Sequence, residues 1–164
     1  CAVLYPIVVI AISTGMRRSE ILTLRKSQVD LKRGAITLQE TKNDDPRYVP
    51  LAGHAHEIVV ARTELLSDDQ AMLFPGKMSG RPLTLWKPWK AALTAASITN
   101  LRFHDLRHTA ASYLAMNGAT AIDLASVLGH KTLQMVKRYA HLSDQHTGAV
   151  VERMTNKFFG NTAA

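Results

Sequence analysis

Val29-Asp30-Leu31, then Lys32-Arg33-Gly34, then Ala35-Ile36-Thr37-Leu38 is the stretch on which the fold class turns. Residues 29–31 and 35–38 read as two strands joined across Arg33-Gly34, a hairpin. The polar run Thr41-Lys42-Asn43-Asp44-Asp45-Pro46 reads as a turn, and Tyr48-Val49-Pro50-Leu51 as a third strand. A small three-stranded antiparallel sheet therefore interrupts a sequence that is otherwise helical. Upstream, residues 3–14 read as a buried helix ended by Thr14-Gly15, and residues 18–24 as a short helix with Ile21, Leu22 and Leu24 inward. Downstream, residues 54–66 return to helix. A Gly/Pro-rich connection over 67–82 reads as the loosest part of the chain, and helices are expected near 84–97, 104–117, 120–128, 132–141 and 144–158. Gly118 and Gly129 stand where helix C-caps belong. There is no repeat or low-complexity segment. The class is α+β, a mostly helical single domain.

Composition narrows the function. The chain has 164 residues, with 20 Lys+Arg against 13 Asp+Glu for a formal charge of +7. At 46% apolar and 20% charged it is globular, which excludes a disordered basic tail. One cysteine, Cys1, excludes a disulfide scaffold and a Cys-based zinc site, and a reducing compartment fits. The apolar run over residues 2–12 is broken by Pro6 and falls short of the roughly 18–20 residues of a membrane span; it also lacks the flanks of a signal peptide. Opening on Cys and directly into core-like sequence, the chain reads as a piece of a longer protein. Its basic residues punctuate apolar segments, as on a folded surface. They point to a polyanionic partner, nucleic acid or an anionic membrane surface, against the plainer reading of charge for solubility.

Five places could carry chemistry, and each also has an ordinary explanation. Arg17 and Glu20 lie three apart at a helix start and can simply pair. Lys42 in a polar turn can be a solvated lysine. His104, Arg107 and His108 share one helical face, with Leu106, Ala110, Tyr113 and Leu114 supplying most of the buried side. Cations gathered at a helix N-terminus are costly unless an anion binds there. His130 follows a helix-ending glycine, and Tyr139 on an amphipathic helix is ordinarily a core or rim aromatic. Taken together, two arginines, one lysine, two histidines and one tyrosine make a clamp for a phosphodiester with a tyrosine nucleophile. Two guanidinium groups can hold the non-bridging oxygens bidentately without a metal. Tyrosine, with a pKa near 10, is ionised in only about one molecule in a thousand at pH 7, so cations or a histidine base must supply about 4 kcal/mol. The leaving 5′-oxygen needs a proton donor, and a lysine on a turn can reach it. Covalent capture on tyrosine keeps the phosphoester available for rejoining.

From Ile12 to about Ser143 the sequence resembles the tyrosine recombinase (phage integrase) family, in its C-terminal catalytic domain. The resemblance rests on Thr14-Gly15-Met16-Arg17-Arg18-Ser19-Glu20-Ile21-Leu22, Thr41-Lys42 followed by Val49-Pro50-Leu51, His104-Asp105-Leu106-Arg107-His108-Thr109, and Leu128-Gly129-His130 with eight residues before Tyr139. It implies the tyrosine recombinase catalytic-domain fold over residues 1–164, preceded in the family by a core-binding domain. By the same resemblance Arg17 and Arg107 bind the scissile phosphate, and His104 handles the tyrosine proton. Lys42 protonates the leaving 5′-hydroxyl, with Lys32 the alternative. His130 bonds a phosphate oxygen, and Tyr139 attacks to form a 3′-phosphotyrosyl intermediate. Glu20 and His108 orient these groups, and Arg18, Arg25, Lys26, Lys131 and Arg138 are the expected DNA contacts. The implied reaction is site-specific DNA recombination with no cofactor and no metal. It is carried out on double-stranded DNA by a tetramer that is a monomer or weak oligomer without DNA, in the bacterial cytoplasm and away from membranes. In this family the segment after the tyrosine helix often packs onto a neighbouring protomer. Here Val150, Val151, Met154, Phe158 and Phe159, within 144–160, can do that or dock on their own core.

Three other readings stay open. The His104/His108 spacing is close to that of a zinc hydrolase helix, though Asp105 is shorter than the glutamate such enzymes use, Arg107 repels a metal, and no third ligand follows nearby. A catalytically inactive DNA-binding relative and a type IB topoisomerase are the others.

Overall fold

The structure, a computed structural model, describes residues 3–39, 46–78, 80–130 and 132–160. It divides into two compact units, residues 1–110 and 111–164, and the boundary falls within one helix.

The first unit opens with α1 (Leu4–Thr14). Pro6 sits in its first turn, where its missing N–H leaves no bond unmade. Gly15, at φ 63°, ends the helix and donates its N–H to the Ala11 carbonyl. α2 (Arg18–Leu22) follows at once, and the chain then forms β1 (Val29–Asp30), β2 (Ala35–Leu38) and β3 (Arg47–Pro50). The sheet is antiparallel in the order β1-β2-β3, with Ile36 opposite both Val29 and Val49, and Leu38 opposite Arg47. Ile36, Leu38, Arg47 and Val49 are buried and Tyr48 and Pro50 exposed, the alternation of a sheet with one covered face. Gly34 turns the hairpin at φ 60°. A Cβ there would stand 3.0 Å from the Leu51 carbonyl oxygen, and the Leu51 N–H donates to the Gly34 carbonyl at 2.7 Å.

α3 (Gly53–Glu64) packs on α1, and α4 (Trp86–Ala95) completes the helices wholly within the unit. One apolar cluster joins α1, α2, the sheet and α3, with Ile7, Ile10, Ile21, Ile36, Val49, Val59 and Phe74 fully covered. The connection expected to be loosest is anchored at its centre. Leu73 and Phe74 are buried, the Leu73 N–H donates to the Leu24 carbonyl at 2.9 Å, and the Leu83 N–H donates to that of Phe74 at 3.2 Å. Two apolar residues inside a polar stretch were enough to pull it into the core.

The unit boundary lies in α5 (Asp105–Met116). Tyr113, expected on its buried side, is exposed, and Ala111 and Ala115 take that side. Small residues allow closer packing than a phenol ring permits.

In the second unit α6 (Ala121–Leu128) is capped at both ends. The Thr120 hydroxyl accepts the Asp123 N–H, the Asp123 carboxylate accepts the Thr120 N–H, and Gly129 at φ 64° closes the helix. Residues 132–141, expected as an α-helix, instead form 3-10 segments over Leu133–Met135 and Lys137–Ser143. Val136, Tyr139 and Leu142 recur every three residues. A three-residue turn stacks them on one side, where a 3.6-residue turn would fan them apart. α7 (Asp144–Phe159) ends the described chain. Its Val150, Val151, Met154, Phe158 and Phe159 are exposed. Among the described residues no helix is long and apolar enough to cross a membrane.

Candidate active site

In the first unit the site grows from the junction of α1 and α2. Gly15 leaves α1 in the left-handed conformation, and Arg17 follows in an extended conformation at φ −67°, ψ 150°, as the N-cap of α2. That geometry turns the Arg17 side chain outward, 44% exposed. Glu20, one turn into α2, accepts the Arg17 backbone N–H on Oε2 at 2.6 Å and the Arg17 Nη1 on Oε1 at 2.7 Å. The expected pair is therefore formed, and it fixes backbone and guanidinium together.

Arg107 comes to the same junction from α5. Its residue is only 6% exposed, and Nη1 donates to the Gly15 carbonyl oxygen at 2.6 Å. A single residue, Met16, separates Gly15 from Arg17, so the arginines that the sequence holds 90 positions apart meet at one loop. His104, just before α5, is exposed. Its ring stands edge-on to that of His108, with centroids 5.2 Å apart and planes at 89°. The His104 imidazole is held below its ordinary pKa, first by partial burial and then by the nearby charges of His108, Arg107 and Arg102, against a smaller opposing pull from Asp105. It is thus neutral at neutral pH and able to accept a proton. Asp105 is turned away to Arg102, whose Nη2 lies 2.9 Å from Oδ1 and whose backbone N–H donates to Oδ2 at 2.8 Å. That pairing holds the Asp105 carboxyl below the usual carboxylate range. Among the described residues, no three His, Cys, Asp or Glu side chains gather in a group that could hold a metal ion.

A cleft of about 840 Å³ opens beside this corner, with Arg17, Arg18, Lys90, Arg102 and His104 on its wall and Leu85, Trp89, Leu93 and Phe103 beneath. Trp89 is held there edge-on to Phe103, at 5.3 Å and 71°, and its Nε1 donates to the Leu101 carbonyl. Cations gathered along such a cleft suit a polyanion.

The second unit holds the other two candidates. His130 follows the Gly129 cap, half-buried, and its backbone N–H donates to the Ala125 carbonyl at 2.8 Å. Tyr139 lies in the 3-10 segment and is only 7% exposed, packed in a cluster with Ala111, Ala115, Leu124, Leu128 and Val136. Its reading as a core aromatic is thus correct for this conformation.

The remaining expected residues divide. Arg18 and Arg138 are exposed, as is Lys32. Arg25 and Lys26 spend donors on their own chain: Arg25 Nη1 on the Gln70 carbonyl, Lys26 Nζ on the Leu66 carbonyl at 2.8 Å and on Asp69 at 3.4 Å. Lys42 and Lys131 lie outside the described residues. One residue escaped the sequence reading. Arg47, a buried position of β3, reaches Glu20 Oε2 with its Nη2 at 2.7 Å. The signal was available, because Arg47 holds a slot that strand alternation reserves for an apolar side chain.

Solved structures that share this architecture include an integrase and a recombinase. The catalytic domain of bacteriophage HP1 integrase superposes with a TM-score of 0.70 at 32% identity, covering 94% of this chain and 84% of that one. XerA recombinase does so with a TM-score of 0.68 at 25% identity, over 96% and 58%. The chain belongs to the phage integrase family, whose model matches residues 2–146. Similar curated proteins include a shufflon-specific DNA recombinase of Escherichia coli, 36% identical over 140 residues, and the integrase of Salmonella phage P22, 30% identical over 152. Each match covers 85% of this chain but 35% and 39% of those proteins, so the chain spans little more than a third of their length.

Proposed function

We propose that this chain is the catalytic part of a site-specific DNA recombinase that cuts and rejoins DNA strands through a 3′-phosphotyrosyl intermediate. The observation that carries the reading is the meeting of buried Arg107 with the loop bearing Arg17, 92 residues away from Gly15, beside a neutral imidazole at His104. In the reaction the Tyr139 oxygen attacks the phosphorus and the bond to the 5′-oxygen breaks. The phenolic proton passes to His104. Lys42 gives a proton to the leaving 5′-oxygen. Arg17, Arg107 and His130 stabilise the charge gathering on the non-bridging oxygens. Rejoining is the same displacement in reverse, with the 5′-hydroxyl of a second strand as nucleophile. Glu20 and His108 orient the groups beside them, and exposed Arg18 and Arg138 contact the DNA backbone.

Because Tyr139 is packed inside its own unit, the reading requires that unit to release the ring before attack. DNA binding, or a second protomer, supplies the trigger. A tetramer on two duplexes is part of the proposal, and the exposed apolar stripe of α7 supports its being seated on a neighbouring copy. The test is a nicked duplex that traps the covalent adduct on a denaturing gel. Wild type should form the adduct and Tyr139→Phe should not; an adduct on Tyr139→Phe, or none on wild type, defeats the reading. For α7, mass should rise with concentration, and deletion of residues 148–164 should abolish that rise.

A further inference from the structure

We infer that Arg47 is a positioning residue for the phosphate-binding corner, acting on Arg17 through Glu20. The inference rests on the proposed reaction. Three charged side chains run from the interior to the surface in one line: Arg47 at 8% exposure, Glu20 at 17% and Arg17 at 44%. Glu20 Oε1 takes Arg17 Nη1 at 2.7 Å. Glu20 Oε2 takes both the Arg17 backbone N–H at 2.6 Å and Arg47 Nη2 at 2.7 Å. Arg47 thus pins the oxygen that fixes the Arg17 backbone, and the carboxylate cannot rotate without losing a charge-assisted bond.

Charge gives the second argument. Arg17 and Glu20 alone form a neutral pair, with the carboxylate competing against any incoming phosphate for the same guanidinium. Arg47 adds a second positive charge to that pair, which offsets the carboxylate's competition with an incoming anion. Stability offers no comparable reason for Arg47. A buried ion pair is commonly replaced by apolar residues of similar size without loss, and its neighbour on the covered face of β3 is Val49. The strand accordingly gives up an apolar slot for a guanidinium aimed at the carboxylate that holds Arg17.

The test is a double-mutant cycle of Arg47→Met and Glu20→Gln, with Arg47→Lys as the conservative variant and thermal melting to show that each protein is folded. In adduct formation at saturating DNA, Arg47→Met is expected to slow the rate about tenfold or more, and Arg47→Lys to recover part of it. The double variant should be no slower than the slower single one, because Arg47 acts on Arg17 through Glu20. The same cycle is read without chemistry, as affinity for a duplex of about 30 base pairs in the Tyr139→Phe background. There Arg47→Met should weaken binding about threefold with Glu20 present and not with Gln at 20. Independent, multiplying effects, or an Arg47→Met protein that is folded and unchanged in both readouts, overturn the role of Arg47 alone. Absence of any DNA binding by the wild type overturns the recombinase reading and this inference with it.

Discussion

The two units treat their candidate residues in opposite ways. In residues 1–110 the side chains proposed to meet phosphate stand on helix ends rooted in a cluster of nineteen buried residues among those described, and Arg17 and His104 face outward. In residues 111–164 the cluster has six members among the described residues, and the proposed nucleophile is one of them. On the proposed function, the first unit presents its phosphate-binding groups ready-made, and the second keeps the nucleophile inside the packing. Preformed electrostatics can be built on a large core at no cost to it. A tyrosine that serves as core must be withdrawn from it to react.

The sharpest break in this comparison is all or none. Tetranitromethane should nitrate exposed Tyr5, Tyr48 and Tyr113 in the free chain and spare Tyr139, as read by mass spectrometry. Rapid nitration of Tyr139 would erase the contrast. Next in size, Arg107→Ala should slow adduct formation on the order of 10²–10³-fold, as loss of one preorganised donor does. A smaller loss would mean that the corner is less complete than it looks. Third, Phe74→Ala in the first core should cost about 3–5 kcal/mol, and Leu128→Ala in the second about 2–5 kcal/mol. Hydrogen exchange should show the Leu128→Ala loosening mainly within 111–160. Uniform loosening would argue that the units unfold as one. The smallest effect concerns pH. With the His104 pKa lowered, its neutral form persists below pH 6.5, so the acid limb of the cleavage rate should fall below that value. His108→Gln removes one of the charges that lower it and should move the limb upward. A wild-type limb above 6.5 would remove His104 as the proton acceptor.

Most of this frame was legible in the sequence because local chemistry decided it. Gly34 between two short apolar runs marks a hairpin, Gly15 and Gly129 end helices in the left-handed conformation, and Arg17 and Glu20 at a helix start pair as their spacing requires. What escaped depended on distant partners. Strand alternation marks Arg47 as out of place on a covered face, but its partner Glu20 lies 27 residues away and is brought near only by the folded sheet. The anchoring of Leu73 and Phe74 depends on a core assembled from α1 to α3. The 3-10 geometry around Tyr139 differs from an α-helix by a fraction of a residue per turn, which hydrophobic spacing over ten positions resolves poorly.

The bond from Arg107 to the Gly15 carbonyl ties one of the last stretches of the first unit to its opening helix. A chain emerging from the ribosome cannot close that tie until residue 107 has cleared the exit tunnel, by which time the sheet and α3 have long been free to fold. On the proposed function, the phosphate cradle is therefore assembled only after residue 107 has followed the opening helix out of the tunnel.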